Sequence, residues 1–183
     1  MSSITQPDVA EVSWFSALCD DDYEFLGLPD PALASSWEHC QQIVQAADRS
    51  GFDNVLLPSG YDLGIDATAF AAAIATHTEQ IHLLLAVRMG EMWLPQLARQ
   101  IATVDQFAGG RLNVNIISSD IPGEALESTP RYQRTREWMQ VLRKLLNRES
   151  IDFHGDFVDL RLDPPRASTV DGTCPPFYFG GFS

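Results

Sequence analysis

Residues 81–119 read IHLLLAVRMGEMWLPQLARQIATVDQFAGGRLNVNIISS, and the architecture turns on them. The apolar run 81–87 has no polar alternation, the pattern of a strand buried on both faces. Pro95 sits where a helix starts, and helical spacing continues to about Phe107. Gly109-Gly110 then ends the helix, and 112–117 forms a second β-type run closing in Ser118-Ser119. A strand, a helix and another buried strand within 40 residues make a parallel βαβ unit with a right-handed crossover.

The same alternation extends in both directions. Upstream, 12–17 reads as a strand and is followed by an acidic stretch (CDDDYEFLGLPDPALA) in which Pro29 and Pro31 bar a helix. Ser35-Ser-Trp-Glu38 has capping-box spacing, and Trp37, Cys40, Ile43, Val44 and Ala47 recur at helical intervals until Gly51. A strand over 54–58 ends in Ser59-Gly60, and Asp66 caps a small-residue helix from Ala67 to about His77. Downstream, Thr129-Pro130 opens a long helix with Trp138, Val141, Leu142, Leu145 and Leu146 on one face. A hairpin over 151–162, turning at His154-Gly155, and a Pro-rich loop to about 175 precede a last strand at 177–180. The reading is a single α/β domain over 1–183, with 1–11 disordered. Two parallel architectures compete, an open doubly wound sheet and a (β/α)8 TIM barrel. No GxGxxG follows the first strand, so the dinucleotide fingerprint is missing. A barrel needs eight units and about 250 residues. Four βα units and a fifth strand are present, so the expectation is a truncated barrel whose end strands have open edges and whose inner apolar face is uncovered.

Composition excludes several classes. Hydrophobic residues make up 45% of the chain and charged ones 20%, which is globular rather than disordered. No run reaches the length of a membrane span, and the N-terminus lacks a basic, apolar leader. Three widely spaced cysteines (Cys19, Cys40, Cys174) without CxxC argue for a reducing cytoplasm. Net charge is −13, and residues 1–80 carry 13 acids against one base, Arg49, so nucleic acid is a poor partner. The bases cluster in 131–148, where they form either a solvated helix face or a site at which one or two arginines hold an anion. His39, His77, His82 and His154 have no metal-ligand spacing, and Asp20, Asp21, Asp22 and Glu24 do not match an EF-hand.

Several stretches, taken in order, carry a family likeness: Trp14-Phe15, QQIVQAADRSGFDNVLLPSG (41–60), AVR (86–88), LARQIATVDQFAGGRLNVNIISS (97–119), RYQRTREWMQVLRKLL (131–146), IDFHGDFVDLR (151–161) and PPFYFGGFS (175–183). The chain resembles the bacterial luciferase-like flavin-dependent monooxygenases, in particular their alkanesulfonate monooxygenase branch. The resemblance implies a TIM barrel, reduced FMN supplied by a separate reductase, and O2-dependent oxidation of a small, possibly organosulfur, substrate. The resemblance points to Ser118, Tyr132 at the start of the long helix, and Ser183 as cofactor-binding residues, and Ser59 and Gly181 join them at the strand ends where such barrels place their active rim. Hydroxyls and glycine backbone there suit a phosphate and a polar ring edge. Departures accompany it. The family's active-site His after the Trp-Phe start is Cys19, a second His is Ser128, and the Cys after the second strand has no counterpart in YDLGIDA. They count against a sulfonate substrate more than against flavin. The half barrel is expected to need a homo-oligomer or a complementing second half. Two other readings stay open: a non-catalytic, degenerate flavin-binding or structural relative, and a deazaflavin-dependent dehydrogenase of the same fold.

Overall fold

The structure, a computed structural model, describes residues 10–15, 35–61 and 63–180. Strands β1 (Ser13–Phe15), β2 (Asn54–Leu57), β3 (His82–Arg88) and β4 (Leu112–Ile117) alternate with helices α1 (Trp37–Arg49), α2 (Ala67–Ile74), α3 (Leu94–Ala108) and α4 (Ser128–Leu146). A hairpin of β5 (Ile151–His154) and β6 (Asp159–Leu162) precedes β7 (Phe177–Phe179). The main sheet is parallel throughout, in the order β1-β2-β3-β4-β7. A doubly wound sheet reverses its strand order at a switch point. Here the strands follow chain order without reversal, which is barrel topology.

Local chemistry explains most boundaries. Helix α1 is capped by Ser36, whose hydroxyl accepts the His39 N–H at 3.1 Å. Sequence spacing had favoured Ser35; with the cap one residue later, Glu38 falls at the second helical position and the capping box does not form. Asp66 caps α2 through the Ala69 N–H at 2.8 Å, as its position suggested. The last turn of the expected 67–77 helix tightens to 3-10 geometry over Ala75–His77. The Arg111 guanidinium sits just beyond it, taking up the end carbonyls of Ala75 and Thr78 and donating also to Ile81 O at the entry to β3. Gly109 ends α3 in the left-handed region at φ 63°.

Alternation divides the sheet into two faces. Val55, Leu57, Leu83, Leu85, Val87, Leu112, Val114 and Ile116 point to the helices and form the core with Val44, Phe70, Ile101 and Leu142. The opposite face carries Leu56, Leu84 and Ala86 but also Asn54, Asn113, Asn115 and Tyr178. The expected apolar inner face is therefore a mixed one, and part of its polarity is used structurally. The Tyr178 hydroxyl donates to the Glu11 carboxylate at 3.1 Å, and the buried Asn54 amide donates to the same carboxylate. Glu11 precedes β1 and Tyr178 lies on β7, so this contact spans all five strands and holds the sheet curled. Of the stretch 1–11 expected to be disordered, residues 1–9 lie outside the described residues.

Candidate functional site

The C-terminal ends of parallel barrel strands are where such folds place their chemistry, and two clefts open there. The first, of about 230 Å³, is lined by Asn115, Ser118, Ser119, Asp120, Arg131, Tyr132 and Gly180, among others. It exists because β4 pairs with β7, which brings the loop after each strand beside the first turns of α4. Ser118, Tyr132 and the Gly180 end of the last strand thus share one cleft. Gly181 and Ser183 lie outside the described residues, as does Cys19.

Within this cleft the hydroxyls differ. Thr135 donates to Arg131 O at 3.0 Å, which leaves Ser118 as the donor in its 2.8 Å contact with Thr135. Ser118 is thereby tied to α4, and its carbonyl accepts from Arg131 Nε at 2.9 Å. Ser119 Oγ, in contrast, is buried with no hydrogen-bond partner. Arg131 also pairs with Asp120, so the one carboxylate in the cleft is neutralised beside it. Tyr132 stands edge-on to Phe179 with ring centroids 6.3 Å apart. Among the described residues nothing within 4 Å would meet a side chain at Gly180, so its backbone can be approached closely.

The second cleft, of about 470 Å³, lies between the loops after β2, β3 and β4 and is lined by Ser59, Gly60, Tyr61, Asp66, Gly90, Glu91 and Ile121, among others. Ser59 therefore stands apart from Ser118 and Tyr132. Its carbonyl accepts from Arg88 Nη2 at 3.2 Å, while Arg88 Nη1 pairs with Glu91 at 3.1 Å. Arg88 joins two rim loops. Ser119 stood with Ser118 among the strand-end hydroxyls but was not singled out as a cofactor residue, and the only signal for Arg131 and Arg134 was their clustering on one helix. Among the described residues no group of three or more His, Cys, Asp and Glu is placed to hold a metal. No helix among them is long and apolar enough to cross a membrane.

A sequence model of the luciferase-like monooxygenase family matches residues 25–183. The chain belongs to the luciferase-like monooxygenases. Within this family it is 63% identical over 180 residues to sulfoquinovose monooxygenase of Novosphingobium aromaticivorans, covering 94% of this chain and 50% of that protein. The sulfoquinovose monooxygenase of Agrobacterium fabrum is 47% identical over 179 residues, covering 96% of this chain and 46% of that protein. The chain thus spans about half the length of these curated relatives. Among solved structures, riboflavin lyase with modified FMN and riboflavin superimposes with a TM-score of 0.80 at 16% identity, over 95% of this chain and 51% of that one. At that identity the likeness concerns the fold, a luciferase-like barrel of which this chain builds about half.

Proposed function

We propose that this chain forms the cofactor-binding half of a two-component, FMN-dependent monooxygenase acting on a sugar sulfonate of the sulfoquinovose type. The observation that carries the cofactor reading is the cleft between β4, β7 and α4. It combines an unsatisfied buried hydroxyl (Ser119), a cation (Arg131), a phenol (Tyr132) and open glycine backbone (Gly180), a donor set that fits a phosphate dianion. Tyr132, Ser119 and the Gly180 backbone would hold the phosphate end of the flavin. Ser118 holds the first turns of α4 in place, and Arg131 keeps the Asp120 carboxylate from opposing the anion. Reduced flavin, when bound, supplies the activation of O2, and a separate flavin reductase supplies the reduced flavin. The substrate reading rests on the names of the two relatives, both described as sulfoquinovose monooxygenases. It reverses the inference from Cys19 and Ser128, which had counted against a sulfonate.

Titration of FMN, followed by quenching of flavin fluorescence, tests the cofactor site. Wild type is expected to bind, and Tyr132→Phe and Ser118→Ala to weaken binding by about threefold to tenfold. Silence of both substitutions overturns the assignment. A parallel titration with a deazaflavin distinguishes the two flavin classes. Supplying the other half of the barrel together with reductase, 18O2 and sulfoquinovose is expected to place one labelled oxygen atom in the product, with no labelling when reductase is omitted.

A further inference from the structure

Arg134 is 5% exposed, lies on the inward face of α4, and is used by none of the contacts assigned above. Its Nη1 pairs with Glu124 at 2.5 Å, and that carboxylate is 41% exposed on the loop between β4 and α4. Its Nε and Nη2 are both buried with no hydrogen-bond partner. These two N–H groups share one edge of the planar guanidinium, the edge that binds a two-oxygen acceptor bidentately. A buried fork of this kind is costly to leave bare, because the donors have lost water and gained nothing. The fold nevertheless makes room for it. A Cβ on Gly90 would lie 2.8 Å from Arg134 Cζ, 2.9 Å from Nε and 2.6 Å from Ile121 Cδ1, so the bare Gly90 backbone is what lets the guanidinium fit. Gly90 and Ile121 are also walls of the 470 Å³ rim cleft. The guanidinium therefore packs directly against the Gly90 wall of that cleft.

We propose that Arg134 is the receptor of a second anion site on the active rim, binding an oxyanion group through Nε and Nη2. A sulfonate or a phosphate presents the required pair of oxygens. Glu124 is the internal carboxylate already attached to the same guanidinium, and the incoming anion competes with it for charge. The site is independent of the flavin cleft, where Arg131 is the cation. Its assignment to the substrate's sulfonate rests on the function proposed above, whereas the existence of an oxyanion site does not.

Calorimetric titration of the chain with sulfoquinovose, inorganic phosphate and glucose, without flavin or reductase, tests this. Sulfoquinovose or phosphate is expected to bind and glucose, which lacks the anion, is not. Glu124→Gln removes the competing charge and is expected to tighten anion binding by about threefold to tenfold, and Arg134→Lys, which keeps the charge and loses the fork, to weaken it by about tenfold or more. Tighter binding of sulfoquinovose than phosphate assigns the site to the substrate; the reverse assigns it to a phosphate-bearing ligand. If Arg134→Lys fails to fold, Glu124→Gln decides alone, since it leaves the guanidinium intact. Equal anion affinity in wild type and Glu124→Gln, or no anion binding to either, overturns the site. Because turnover is not measured, that result is distinct from a failure of the monooxygenase reading.

Discussion

At the scale of the single residue, carboxylates that collect backbone N–H groups do much of the organising. Asp48, near the end of α1, accepts from Glu79, Gln80 and Ile81 at 2.8, 2.9 and 2.7 Å and so fixes the entry to β3. Burial alone would raise its pKa. The three N–H bonds and the positive charge of Arg111 together outweigh that and hold it below the usual aspartate value. A carboxyl with a depressed folded pKa stabilises fully above its unfolded value, about 3.9, and loses that contribution as pH falls through the folded value. The stability difference between wild type and Asp48→Asn, measured by urea unfolding, should therefore narrow as pH drops below about 4. A difference that stays constant between about pH 6 and pH 2 would rule this out.

At the scale of the element, the β5–β6 hairpin depends on α4. Glu137, largely buried, accepts the N–H groups of Asp156, Phe157 and Val158 at 3.1, 2.8 and 3.1 Å. A Cβ at Gly155 would lie 2.4 Å from Glu137 Oε2, so glycine is what allows the turn to close on the carboxylate. A two-stranded hairpin is marginal by itself. Replacing Glu137 with Ala should cost about 2–3 kcal/mol, because three turn donors lose an ionised acceptor. Hydrogen exchange at Phe157 and Val158 should accelerate more than exchange in β3. Equal protection in the mutant hairpin would mean that the turn closes without Glu137. The hairpin over 151–162 was readable from the sequence, although its turn falls at 155–158 rather than at His154-Gly155. Its anchor was not, because Glu137 belongs to an element whose sequence pattern marked only the apolar residues as inward.

At the scale of the whole molecule, the sheet has two ends. Among the described residues, β1 and β7 each pair with one strand only. Trp14, Phe15 and Phe179 on these end strands are about half exposed. Unpaired edges flanked by aromatic surface favour association. Sedimentation of the purified chain is expected to show concentration-dependent species heavier than the 20.3 kDa monomer. A single monomer boundary across a hundredfold concentration range, on the order used to expose weak association, would contradict this. The Tyr178–Glu11 contact bears on the same question, since it curls the open sheet without needing a further strand.

Buried runs, glycine stops and short βα spacings were enough to establish the parallel order, because periodicity and chain reach are local properties. They also placed Ser118 and Tyr132 near one another once β4 and the last strand were taken as neighbours. They could not separate Ser59 into its own cleft, since that depends on how far the sheet curls. Nor could they show that the Ser118 hydroxyl is committed to Thr135 while Ser119 Oγ has no partner, or that Arg134 is buried with a bare edge. Those facts belong to tertiary structure for a physical reason. Whether a polar group is satisfied depends on which groups from distant segments reach it and whether water is excluded, and neither is encoded in the residue's own neighbours.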